Sequence, residues 1–328
     1  MKTNQKPLNS GFRAETTAEE IASGVDLRGR VCVITGGHSG IGLETTRVLT
    51  KAGAVVCVGA HDMTKAHKNL ANINNVQVVH LDLADPKSVD RFAESVINSH
   101  NMIHLLINNA GIMRPPTLMR NVRGHELQFA TNHLGHFQLT ARLWPAVKNA
   151  QGARVVTLSS IGHRYSGVDL DDPNYLSRPY DKAEAYGQSK TANSLFSVEL
   201  DRRGLGHGVR AFAVHPGGIL TDLVRYLTDD ELKAWGIVRE GGVLKAPSYG
   251  YKSLAQGAAT TMWCALSAQL DGRGGVYCED CDIAQLVPND SPAFSGVRSW
   301  AVDLPTAKAL WDLSEQLTGV KWLDPAGI

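Results

Sequence analysis

The chain of 328 residues is 43% hydrophobic and 20% charged, with 32 glycines, a balance that excludes collagen-like, coiled-coil and wholly disordered classes and suits one enzyme-sized α/β domain. Its 33 basic and 32 acidic side chains leave a formal charge of +1, so no global field draws nucleic acid or an anionic membrane toward it. Five cysteines (Cys32, Cys57, Cys264, Cys278, Cys281) are too few and odd in number for a disulfide scaffold, and no apolar run approaches the ~18 residues of a membrane span, so a cytoplasmic protein is expected.

Residues 1–26 are polar and turn-rich, with a Thr17–Glu20 pattern able to cap a short helix. They read as an arm ahead of a single domain over 27–328. From Val31 onward, short β-branched runs alternate with helix-length amphipathic stretches. The strand-like runs are Val31–Thr35, Ala54–Gly59, Val76–Leu81, Ile103–Asn108, Arg154–Ser159 and Arg210–His215. Helices are predicted near Gly42–Lys51, Met63–Ala71, Pro86–Ser99, His125–Lys148, Ala183–Arg203, Ser253–Leu266 and Leu304–Thr318. Apolar strands alternating with helices predict a single doubly wound, Rossmann-type parallel sheet of seven strands with helices on both faces. The stretch at about 221–250 breaks this rhythm and reads as a lid over a substrate site.

Thr35-Gly36-Gly37-His38-Ser39-Gly40-Ile41-Gly42 follows the first strand and opens a helix, the setting in which glycines let backbone amides and a helix N-terminus approach a pyrophosphate. A sharp strand-to-helix turn also wants glycine for conformational reasons alone. Further on, Tyr186 and Lys190 stand four apart, on one face of a helix about one turn from each other. A free phenol, with its pKa near ~10, is a poor base at neutral pH, and a fixed ammonium beside it makes proton exchange with a substrate oxygen feasible.

Taken with Asn108-Asn109-Ala110-Gly111 after the fourth strand and Pro216-Gly217-Gly218-Ile219-Leu220-Thr221 after the sixth, these motifs resemble the short-chain dehydrogenase/reductase family, retinol-dehydrogenase-like branch, over about Leu27 to Thr318. The resemblance implies that Gly36, Ser39, Gly40, Ile41 and Gly42 cradle a pyrophosphate, that Asp82 bonds the adenine, and that Asn109, Ala110 and Gly111 line the adenosine side. Pro216, Gly217, Ile219 and Thr221 would wrap the nicotinamide. Asn109 could equally be a buried amide tying strands together. Spacing does not choose between Ser159 and Ser160; the family pattern gives Ser160 the substrate oxygen, Tyr186 the acid/base role, Lys190 the tyrosine and ribose, and Asn132 a water-linked proton path. Ala60 stands where NAD-selective relatives carry an acid, and His61 where NADP-selective ones often carry arginine, so NADP(H) is favoured over NAD(H).

The implied enzyme is an NAD(P)-dependent alcohol dehydrogenase or carbonyl reductase. Its small-molecule substrate would be a bulky, apolar alcohol, ketone or aldehyde, and self-association into a homo-oligomer is left open. The rival reading is a nucleotide-sensing interaction protein with the same pocket and no turnover. No metal is expected: Cys278-Glu279-Asp280-Cys281 has no second cysteine pair to complete a zinc site, and the paired histidines His100/His104 and His133/His136 lack convergent carboxylates.

Overall fold

Runs of branched apolar residues become strands here because both of their faces are covered. In the computed structural model, which describes residues 5–247 and 249–322, strand β1 (Val31–Thr35) is buried from Cys32 to Thr35. β2 (Val55–Ala60), β4 (Leu105–Asn108), β5 (Arg154–Leu158) and β6 (Arg210–His215) are equally covered, while β3 (Val76–His80) lies half-open near one edge. The first four residues of the expected arm, Ser248 in the expected lid and the last six residues lie outside the described residues.

The helices follow in turn as α1 (Ala18–Ile21), α2 (Gly40–Lys51), α3 (Met63–Leu70), α4 (Pro86–Ser99), α5 (Leu127–Phe129), α6 (Gly135–Asn149), α7 (Lys182–Gly204), α8 (Asp229–Ala234), α9 (Leu254–Leu266) and α10 (Leu304–Thr318). Further strands of interest are the hairpin β7 (Val238–Glu240) and β8 (Val243–Lys245), and β9 (Val276–Glu279), which turns back into β10 (Asp282–Ile283). The main sheet has eight strands in the order β10-β9-β6-β5-β4-β1-β2-β3. Seven are parallel, as expected; the eighth, β10, pairs antiparallel with β9. The reason is a two-residue turn in which Asp280 and Cys281 both take positive φ, 49° and 60°, the geometry that reverses a strand with matching twist. The Cys-x2-Cys spacing therefore belongs to a hairpin, and all five cysteines are free and buried.

α2 and α9 cover one face of the sheet together with α1, and their apolar residues join one core cluster. Across the sheet, Phe137 of α6, Phe196 of α7 and Trp311 of α10 form an aromatic layer, with Phe137 and Trp311 centroids 5.0 Å apart. Trp263 and Trp311 are fully buried, so these tryptophans fill the interior.

Two expectations change. The stretch His125–Lys148 is not one regular helix: between α5 and α6 the chain makes a π-helical turn over Ala130–Leu134. Gly135 then lies so close to the Leu83 carbonyl that a Cβ would sit 2.3 Å from it. The arm, too, is docked. Gln5 donates to the carbonyls of Tyr277 and Ala284 and accepts from the Tyr277 amide, while the amides of Leu8 and Ser10 donate to the Asp282 carboxylate. A buried amide side chain thus satisfies the Tyr277 amide and the Ala284 carbonyl, which have no further strand to pair with, and shares the Tyr277 carbonyl with the Ala284 amide. Among the described residues no helix is long and apolar enough to cross a membrane.

Candidate active site

At the carboxyl edge of the sheet, the turn after β1 and the loop after β4 press together. Gly36 (φ +67°) faces Ala110 so closely that a Cβ would lie 3.1 Å from the alanine methyl, and Gly40 (φ +53°) faces the side chain of Thr221 after β6. Ile41 and Ile219 meet over Gly257 of α9. Gly36, Gly40, Ile41, Gly42, Ala110 and Thr221 are thereby brought to one place. Ser39 at the N-cap of the twelve-residue α2 makes no side-chain capping bond, so the leading amides of that helix keep their donors for another acceptor. Such amides at the positive end of a helix, with no side chain in the way, fit a dinucleotide pyrophosphate.

The remaining predicted contacts are placed less uniformly. Asn109 spends its donors on Thr35, with Nδ2 on the carbonyl at 2.8 Å and the backbone amide on Oγ1 at 2.9 Å, which is the strand-tying arrangement. Asp82 accepts from the Ala84 amide and holds its other oxygen 3.9 Å from His61 Nε2. His61 is exposed, Ala60 fully buried, and Asp62 caps α3 through the Lys65 amide. Pro216 and Gly217 lie in the loop after β6, where Gly217 (φ +101°) packs on the stem of Lys252.

The two serines are now distinguished. Ser159 Oγ donates to the carbonyl of Lys190 and is buried, a structural tie between β5 and α7. Ser160 Oγ accepts from the Gly162 amide at 3.0 Å, and both it and the Tyr186 ring lie against Gly162. One turn along α7, Lys190 Nζ donates to the Leu158 carbonyl at 3.0 Å and lies 5.7 Å from the Tyr186 ring centre. Burial pushes the phenol up to about 12 against the pull of Ser160 and Arg114, and pushes the Lys190 ammonium down to about 8. At neutral pH each therefore holds its proton.

Asn132 sits in the π-helical turn. Its side chain accepts from the Ile112 amide and donates to the Ile112 carbonyl and Ser189 Oγ, so it braces the loop after β4 against α7. Its main-chain carbonyl accepts from His136 Nδ1 at 2.9 Å. Thr35 Oγ1 fixes that tautomer: it accepts from the amides of Asn109 and Ala110, so its own hydrogen must go to His136 Nε2, 2.8 Å away. His163 is locked in the same way, accepting from the Arg298 amide at Nε2 and donating from Nδ1 to the Ser160 carbonyl. His215 Nδ1 accepts from the amides of Ile161 and Gly217. In the sequence His163 carries no signal of its own beyond its position three residues past Ser160. The loop containing Asp169–Pro173 is likewise less open than its composition suggests, because the Asp172 carboxylate accepts from Leu176 and Ser177 and holds the turn against the protein.

Burial holds His133 and His215 neutral down to about 3 and His136 and His163 down to about 4. A folded pKa below the unfolded ~6.5 means that stability is present above that value and is lost as pH falls toward 4 and then 3. At pH 5 the loss should approach ~2 kcal/mol per histidine, partly offset by the raised carboxyls of Glu126 and Glu279. Melting temperature should thus be level above pH 7 and drop steadily between 6.5 and 4.5; an unchanged melting temperature across that window would remove this account. Among the described residues, no cluster of three or more histidine, cysteine or acidic side chains is placed to hold a metal.

The model of the short chain dehydrogenase family matches residues 30–232. A Streptomyces lividans protein named "Probable oxidoreductase" is 40% identical over 293 residues, covering 88% of this chain and 97% of the relative. Mouse (Mus musculus) retinol dehydrogenase 12 is 39% identical over 306 residues, covering 91% and 89%. Among solved structures, an uncharacterized protein from Mycobacterium paratuberculosis aligns with a TM-score of 0.70 at 35% identity, covering 92% of this chain and 98% of that one.

Proposed function

The chain belongs to the short-chain dehydrogenase/reductase family, in its retinol-dehydrogenase-like branch, and is an NAD(P)-dependent oxidoreductase; from that premise we propose that it moves hydride between NADP(H) and a bulky, mainly apolar alcohol, ketone or aldehyde. The observation that carries this reading is the buried Tyr186 phenol, with Ser160 beside it against Gly162 and Lys190 one turn away. When bound, the nicotinamide supplies or takes the hydride. Ser160 positions the substrate oxygen, Tyr186 gives it a proton during reduction, Lys190 steadies the charge left on the phenol, and Asn132 with His136 holds the path behind them. No feature favours an interaction protein without turnover. Oxidation of NADPH over a panel of ketones and aldehydes tests the proposal, and a protein that binds NADPH but reduces none of them defeats it.

NADP(H) preference is supported by the surroundings of the second strand's end. Asp62 is committed to the α3 cap, no acid stands at Ala60, and His61 is exposed beside Asp82. Ala60→Asp should shift selectivity toward NADH. Because Ala60 is fully buried, the exposed His61→Arg gives a second arm that should strengthen NADPH binding by pairing its 2′-phosphate. Tighter NADH than NADPH binding by the wild-type protein in a fluorescence titration contradicts the preference.

The segment at about 221–250 supports a lid. Val224, Leu227, Leu232 and Ile237 pack with Met113 and Tyr186 in one apolar cluster, and the β7–β8 hairpin turns on Gly241 and Gly242, both at positive φ. Closing such a face over a substrate excludes water from the hydride path. Limited proteolysis should cut this hairpin in the free protein and be slowed by NADP⁺ with a bulky ketone; equal cutting with and without them argues for a fixed wall instead.

A further inference from the structure

Arg114 has no role in the chemistry above, yet it is only 9% exposed and lies beside the proton donor. Its guanidinium carbon is 5.3 Å from the ring centre of Tyr165, which follows Ser160 on a short 3₁₀ turn (Ile161–Tyr165), and 5.1 Å from that of Trp235 in the proposed lid. Aromatic faces can cover the flat sides of a guanidinium, but its five N–H donors lie in the plane and need acceptors. Nε is buried without one, and among the described residues no carboxylate pairs with Arg114 and no acceptor is found for its side chain. Next to Trp235, Met113, Val224, Leu227 and Ile237 form an apolar cluster with Tyr186, and a second guanidinium, Arg164, lies 5.6 Å from the same Tyr165 ring.

The residue is also held in place. Its backbone takes φ 55°, a region uncommon for a side chain of this size, and its amide donates to Gln128 Oε1 at 2.7 Å. A guanidinium whose Nε is shut away from water without an acceptor, and which has no counter-charge beside it, is costly to hold unless something else completes it. Resting on the oxidoreductase reading above, we propose that Arg114 binds a carboxylate on the substrate, so that the preferred substrates are bulky keto acids or hydroxy acids whose acid group lies between Tyr165 and Trp235 while the reacting carbon lies at Tyr186. Arg114 is then a specificity residue, and its sequence signal is three positions beyond Gly111, on the loop that brings Asn109–Gly111 to the site.

The test compares aromatic keto acids, in a series of increasing acid-to-ketone separation, with their methyl esters. Binding to the NADP⁺-loaded protein is followed by tryptophan fluorescence and calorimetry, and turnover by NADPH oxidation. At one separation the acid should bind about ten- to a hundredfold more tightly than its ester, the range of a charge-assisted hydrogen bond. Arg114→Met should cost the acid at least ten times more affinity than the ester, Arg114→Lys should restore part of the difference, and added salt should weaken only the acid. Equal affinity of acid and ester across the whole series overturns the proposal, as does a parallel loss for both in Arg114→Met, which would make Arg114 a clamp for the lid. Because binding is read without turnover, failure to reduce any ketone strikes the oxidoreductase reading and leaves the carboxylate site to be judged by the titration.

Discussion

Tyr186→Phe is expected to lower turnover by ~10²–10⁴-fold, the range for loss of a general acid, while NADPH affinity stays close to that of the unaltered protein. The ring is 5% exposed and packed against Gly162, so phenylalanine keeps the packing and removes only the hydroxyl. In the unaltered enzyme the phenol, pushed up to about 12, remains protonated, and the charge nearby is the one that titrates: Lys190, pushed down to about 8, carries its proton below that value and gives it up above. kcat/KM for reduction should therefore be level near neutrality and decline as pH rises through about 8. A Tyr186→Phe protein within a few-fold of normal activity would assign the proton to another group.

Gly42→Ala is expected to weaken cofactor binding by about tenfold or more and to lower stability by ~1–3 kcal/mol. A Cβ there would lie 2.3 Å from the Gly36 carbonyl oxygen and 2.6 Å from Asn109 Nδ2. The first of these is backbone and cannot rotate away, so the whole turn must shift. Gly206→Ala is the matched control, because it has nothing within 4 Å and an ordinary φ; it should be neutral in both measurements. Thermal unfolding and a cofactor titration read the two effects separately. Unchanged cofactor affinity in Gly42→Ala would mean that this turn does not cradle the pyrophosphate.

Local pattern carried much of this protein's reading. Strand positions, the glycine turn and the Tyr186–Lys190 pair are legible because each depends on neighbours within one strand, one turn or one helical repeat. Even the seventh parallel strand was expected in number, although Val276–Glu279 was not located, since its apolar run was masked by the two cysteines of a hairpin.

Position along the chain says little about which distant groups will share a hydrogen bond, and there the tertiary structure decided. Spacing leaves Ser159 and Ser160 equivalent, whereas the fold sets Ser159 on the Lys190 carbonyl and Ser160 against Gly162 beside the Tyr186 ring. Asn109 is open by sequence between cofactor contact and strand tie, and the fold places its donors on Thr35. The arm looked like a polar tail because Gln5 is polar, yet that polarity is what β9 needs 272 positions away. Arg114 carries no local signal in the sequence, and only the fold brings Tyr165 and Trp235 over it. Hydrophobic periodicity reports burial by one element at a time, whereas the cost of an unmade hydrogen bond or an unpaired charge is set by whatever the completed fold places opposite it.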